Sequence, residues 1–161
     1  MIKLNNLNLK NTAENLIDTF LKAGKIAKEI SRRGVKITIK VDKSPVTDGD
    51  LAVDELLRTK IKSFTPNIPI ISEETVNLNI KNKKEDTTFW LIDPIDGTND
   101  YIKKKDEYTL NAALIIDLKP ALGLVYAPAK DRLFYSYGKN LAFEINNGKK
   151  IDLNCKKKKY R

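Results

Sequence analysis

Residues 89–98 read Phe89-Trp90-Leu91-Ile92-Asp93-Pro94-Ile95-Asp96-Gly97-Thr98. An apolar run, Phe89 to Ile92, delivers two carboxylates three positions apart, Asp93 and Asp96, around a proline and just ahead of Gly97-Thr98. The run reads as a strand, Pro94 as its stop and Gly97 as a tight turn, so both carboxylates are expected to project from a strand end into a cleft. Two carboxylates this close repel unless one is protonated or a cation bridges them. Hard, oxygen-seeking Mg2+ suits such a pair. Taken alone, Asp-Pro-x-Asp reads as an Asp-rich turn; two acidic clusters upstream change that.

The first cluster lies in Ser44-Pro45-Val46-Thr47-Asp48-Gly49-Asp50, which runs into Leu51-Ala52-Val53-Asp54-Glu55-Leu56-Leu57. Thr47 with Asp50 three residues on makes a pair like a capping box, which opens a helix and would by itself explain both residues. The second is Ile68-Pro69-Ile70-Ile71-Ser72-Glu73-Glu74-Thr75, a short apolar strand ending in paired glutamates. Glutamates after a strand usually sit in water. Three acidic clusters at strand ends and a helix start, in this order, point to one metal-binding cleft.

At this point the chain resembles the inositol monophosphatase superfamily of Mg2+-dependent, lithium-sensitive phosphatases. The resemblance rests on Asp50 after Val46-Thr47, the Glu73-Glu74 pair, and Asp93-Pro94-Ile95-Asp96-Gly97-Thr98, and it runs from about residue 12 to about residue 150. Asn99-Asp100-Tyr101-Ile102 and Glu107-Tyr108-Thr109-Leu110-Asn111 are similar to the 3'(2'),5'-bisphosphate nucleotidase branch. Inositol monophosphatases usually carry Thr-Asn-Phe-Val-His in the first segment, and this chain has no histidine. Asn99 departs from the Lys or Arg common in the nucleotidases.

The resemblance implies a layered α+β sandwich, with two long helices against a mostly antiparallel sheet, of which this chain supplies the N-terminal, metal-binding part. It implies Mg2+, two or three ions in intact relatives, with one ion held by Glu73, Asp93 and the carbonyl of Ile95. A second would be held by Asp93, Asp96 and a later aspartate in a Trp-Asp-x-x-Ala-Gly segment, and no such segment occurs in these 161 residues. Thr98, aided by Glu73 or Asp50, is expected to orient the attacking water, and Asp96, Gly97 and Thr98 to meet the substrate phosphate. Asp50, Glu73 and Thr98 are thus the expected catalytic residues. The implied reaction is hydrolysis of 3'-phosphoadenosine 5'-phosphate to AMP and phosphate; an inositol-1-phosphatase and a non-catalytic remnant are the alternatives. Truncation or a frameshift is expected, with little turnover by the chain alone.

Composition bounds the rest. With 161 residues and 41% hydrophobic content, the chain supports one domain with a real core, expected over residues 1–150. Its net charge of +9 is concentrated at the end, where Lys156 to Arg161 carry five positive charges and leave the body +4. The remaining lysines are scattered, so no nucleic-acid partner is expected, and the basic tail 151–161 is expected to be disordered. No apolar stretch approaches the roughly 20 residues that span a bilayer. The N-terminus lacks the apolar block of a secretory signal, and the single cysteine, Cys155, makes no internal disulfide, so a cytoplasmic location is expected.

Periodicity predicts the elements. A helix is expected from Thr12 to Arg33, a half-buried strand from Val35 to Val41, and a second helix from Thr47 to about Phe64. Strands are expected at Pro69–Ser72 and Phe89–Ile92 around a polar loop, 77–87. Further strands are expected at Thr109–Asp117, Ala121–Tyr126, Arg132–Ser136 and Ala142–Ile145. With nothing to cover one side of these strands, an exposed apolar face and a possible homodimer are expected.

Overall fold

The computed structural model describes residues 7–75 and 87–154. Helix α1, Leu9–Arg33, starts three residues before the expected Thr12, because the Asn8 side chain caps it by accepting from the Asn11 N–H at 3.1 Å. It ends as its basic last turn and Gly34 predict. The stripe Leu16, Phe20, Ala23 and Ala27 is fully buried. A Cβ on Gly24 would lie 2.3 Å from the Tyr126 ring, so glycine sets how closely the helix approaches the sheet.

The expected half-buried strand Val35–Val41 is corrected. Only Ile37–Ile39 forms a strand (β1), and it pairs with Pro45–Thr47 (β2) in a separate antiparallel hairpin. Ile37 and Ile39 are exposed, since a two-stranded ribbon with no second layer has nothing against which to bury an alternating pattern. Helix α2, Asp48–Phe64, follows directly and carries the capping box foreseen at Thr47 and Asp50. The Thr47 hydroxyl accepts from the Gly49 and Asp50 N–H groups, while Asp50 Oδ2 accepts from the Thr47 N–H at 2.8 Å.

Seven strands form one sheet in chain order: β3 Ile70–Ser72, β4 Phe89–Asp96, β5 Thr109–Ile116, β6 Lys119–Ala127, β7 Arg132–Tyr137, β8 Ala142–Asn146 and β9 Lys149–Asp152. The pair β3–β4 is parallel and all others are antiparallel. A short helix α3, Thr98–Ile102, joins β4 to β5. The last strand was not foreseen; its two-residue turn Asn147-Gly148 is a hairpin signal, but Lys149–Asp152 is exposed throughout and carries no apolar alternation. It crosses the expected boundary at residue 150, and the tail from Cys155, like most of the polar loop 77–87, lies outside the described residues.

Both long helices pack on one face of this sheet, and the α+β layering expected of the chain is what the structure has. Trp90, Leu110, Leu114, Leu124 and Leu133 meet Leu16, Phe20, Leu57 and Ile61 in a single core. Each such fully buried side chain contributes about 1.5–3 kcal/mol. Trp90 also donates its indole N–H to the Thr65 hydroxyl at the end of α2, at 3.1 Å. Among the described residues, no helix is long and apolar enough to cross a membrane.

Candidate metal centre and active site

The expectation that Pro94 ends its strand is corrected: β4 continues through it to Asp96. Asp93 pairs with Asn111 and Asp96 with Thr109, so three steps on β4 match two on β5. This bulge absorbs the residue that lacks an N–H, and the β3 side makes no demand there because that pairing stops at Ser72–Ile92. Gly97 then caps α3 at φ +97°, where a Cβ would lie 2.8 Å from the Glu107 carbonyl. Glycine is required here on both counts. A helix opens at Thr98, with the Asp100 and Tyr101 N–H groups both returning to the Gly97 carbonyl.

Asp50, Glu73, Asp93, Asp96 and Thr98 gather around the ends of β3 and β4 and the start of α2. The Thr98 hydroxyl lies 3.4 Å from Asp50 Oδ1 and 3.1 Å from the Ile95 carbonyl, so it reaches the aspartate named for it in the sequence. Asn111 donates to Asp96 Oδ2 at 3.4 Å. Burial pushes the Asp93 carboxyl up to about 7, and the charges of Glu73 and Asp96, a hydrogen bond with Glu73 and the charge of Asp50 push the same way. Burial likewise raises Asp50, against the two hydrogen bonds from Thr47 that favour its ionised form. Asp93 Oδ1 and Asn111 Oδ1, paired neighbours on β4 and β5, are buried without a hydrogen-bond partner among the described residues.

A carboxyl raised toward neutral pH and an orphaned carboxylate oxygen are what a carboxylate cluster suited to a cation presents. The donors are hard oxygens throughout, which fits a divalent ion of the Mg2+ type. Among the described residues, however, no three Asp, Glu, Cys or His side chains form a ready-made ligand group. Glu73 is engaged elsewhere: Lys40 Nζ lies 3.1 Å from Glu73 Oε1 and 2.9 Å from Glu74 Oε1. Burial would lower Lys40, but its hydrogen bonds to both glutamates raise it instead.

Lys40 was missed in the sequence, and nothing local to it signals the contact, which spans the hairpin to β3. Asp54 and Ser72 were missed too. The signal for Asp54 was its place four residues after Asp50, on the same face of α2.

Residues 8–159 match the inositol monophosphatase family, and the chain belongs to it. It is 31% identical over 140 residues to the 3'(2'),5'-bisphosphate nucleotidase CysQ of Aggregatibacter actinomycetemcomitans, covering 87% of this chain and 52% of that protein. The solved structure of CysQ from Bacteroides thetaiotaomicron, described as a bacterial member of the inositol monophosphatase family, superposes with a TM-score of 0.61 at 28% identity. That match covers 88% of this chain and 51% of that one. Staphylococcal inositol monophosphatase-1, solved as a LiCl-soaked inhibitory complex, shares the fold at a TM-score of 0.76 and 20% identity, over 86% of this chain and 52% of that one. The chain spans about half the length of the curated relatives it matches.

Proposed function

We propose that this chain is the metal-binding half of a Mg2+-dependent phosphomonoesterase of the bisphosphate nucleotidase branch, acting in the cytoplasm on 3'-phosphoadenosine 5'-phosphate. The observation that carries the reading is Asp93: a carboxyl raised to about 7 with an oxygen left unpartnered beside Glu73 and Asp96. Identity to a protein named as a bisphosphate nucleotidase supports the branch.

In this reading Asp93, Asp96, Glu73 and the Ile95 carbonyl would hold the cation, which would supply neutralisation of phosphate oxygens and a more acidic water. Thr98 and Asp50 orient the attacking water: Asp50 Oδ1 takes the Thr98 proton, which leaves the hydroxyl oxygen free to accept. The Gly97 and Thr98 amides meet the substrate phosphate. Lys40 pairs with both glutamates, so Glu73 would have to leave this pair to serve as a ligand.

The test is phosphate release from 3'-phosphoadenosine 5'-phosphate and from inositol 1-phosphate. It is run with the chain alone and with the chain joined to the C-terminal half of a relative. The joined protein is expected to prefer the nucleotide. The chain alone is expected to be slower by about 10²–10³, the cost of losing one electrostatic contact. Preference for inositol 1-phosphate would overturn the branch assignment and promote the inositol-1-phosphatase reading.

A further inference from the structure

Glu73 sits just past a three-residue edge strand, with the cleft on one side and helix α2 on the other. Strand alternation sends successive side chains to opposite faces, so whatever fixes Ser72 also fixes where Glu73 points. Ser72 is fully buried, and its hydroxyl donates to Asp54 Oδ1 at 2.5 Å. Asp54 is itself buried, and its second oxygen receives Arg58 one turn further along α2 at 3.3 Å. Backbone pairing reinforces the arrangement, since the Glu73 N–H donates to the Ile92 carbonyl at 3.1 Å.

Asp54 lies one turn below Asp50 on the same helix. A single rigid element therefore carries a site carboxylate at one point and grips the residue next to Glu73 at another. We propose that Asp54 and Ser72 are a positioning pair, whose hydrogen bond sets Glu73 against Asp93 and so sets the affinity for a divalent cation. Neither residue touches the cation; both act through Glu73. The proposal rests on Glu73 being a cation ligand, as proposed above, and the test separates the two.

Mg2+ affinity is measured by calorimetry on the full chain, with urea unfolding in EDTA as the control for stability. Ser72→Ala is expected to weaken Mg2+ about tenfold, the scale at which groups behind metal ligands act. Ser72→Thr and Asp54→Asn, which keep a donor and an acceptor, are expected to stay within about threefold of the parent. Glu73→Gln is expected to weaken Mg2+ at least as much as Ser72→Ala. The double variant Ser72→Ala/Glu73→Gln is expected to bind no more weakly than Glu73→Gln alone, because a residue acting only through Glu73 has nothing left to position.

Additive losses in the double variant would overturn the proposal. So would parent-like affinity in Ser72→Ala while Glu73→Gln loses it. Parent-like affinity in Glu73→Gln would instead overturn the ligand assignment. Should Ser72→Ala fail to fold, Ser72→Cys, near the same volume and a weaker donor, decides on the same criteria.

Discussion

The two faces of the seven-stranded sheet are built from the same strands and do opposite work. On the helix side, Trp90, Leu114, Leu124 and Leu133 are fully or almost fully buried and every large side chain has a partner. On the other side, the paired row Leu91–Ala113–Gly123–Ser136–Ala142 is mostly small, and Leu91 is 47% exposed. The next row, Asp93–Asn111–Val125–Phe134–Glu144–Ile151, begins with the two orphaned oxygens and includes Val125 at 42% and Ile151 at 44% exposure. The covered face supplies stability. The open face carries Asp93, the carboxyl that the fold tolerates least and that the proposed chemistry needs most.

The comparison breaks most visibly on the covered face. Trp90→Ala removes the largest buried side chain and the hydrogen bond to Thr65. It is expected to cost about 3–5 kcal/mol in urea unfolding, a large part of the stability of a domain this size. A loss near 1 kcal/mol would mean that the helices do not rest on this strand as described.

Asp93→Asn should act in the opposite sense on the two properties. Calorimetry is expected to show Mg2+ binding weakened on the order of a hundredfold or more, beyond the effect of groups that only support ligands. Asp96→Asn is expected to weaken it less, since Asp96 is exposed and shares less of the charge crowding. Without metal, Asp93→Asn is expected to be no less stable than the parent, because it removes a buried carboxyl that Glu73, Asp96 and Asp50 all disfavour as an anion. Equal Mg2+ affinity in parent and Asp93→Asn would refute the metal assignment.

Acidity should separate the same two properties. An ordinary aspartate titrates near 3.8 and Asp93 near 7 in the folded chain. Between these values the folded state holds a proton that the unfolded state has lost, so in EDTA this group's contribution to stability falls as pH rises from about 4 to about 7. Cation binding must displace that proton below about 7. The rise in Tm produced by a fixed Mg2+ concentration is therefore expected to be larger at pH 8 than at pH 6, and to lose that dependence in Asp93→Asn. A rise of equal size at both pH values in the parent would show that Asp93 does not hold the linked proton.

Sequence reading recovered the elements whose signals are local. The Thr47–Asp50 capping box and the Arg32-Arg33-Gly34 stop announce α2 and the end of α1 through three or four adjacent residues. The acidic residues that the fold brings together, Asp50, Glu73, Asp93 and Asp96, stand out in the sequence because strand ends and helix starts mark them. The failures were set by neighbours far along the chain. The alternation of Val35 to Val41 is real, yet beyond the partly buried Val35 it leaves Ile37, Ile39 and Val41 exposed, since burial needs a second layer that periodicity does not report. Pro94 reads as a strand stop until β5 offers a bulge to absorb it. Lys40 reaches Glu73 across 33 residues and Ser72 reaches Asp54 across 18, distances at which no spacing rule operates.

The smallest expected effect lies on the open face. Leu91→Ser and Val125→Ser change side chains already about half in water, so urea unfolding of the dilute chain is expected to move by no more than about 0.5 kcal/mol each. Their effect should appear in association instead. An apolar sheet face of this kind is the natural surface for a second copy, and sheets packed face to face keep their strands nearly aligned. Sedimentation at rising concentration is expected to show self-association of the parent and a weaker tendency in the double variant. The helix-side comparison makes this selective: serine at Leu114 or Leu124 should unfold the chain, whereas serine at Leu91 and Val125 should leave it folded and less sticky. A parent that stays monomeric at every concentration would show that the open face, for all its apolar residues, is adequately solvated by its small and polar ones.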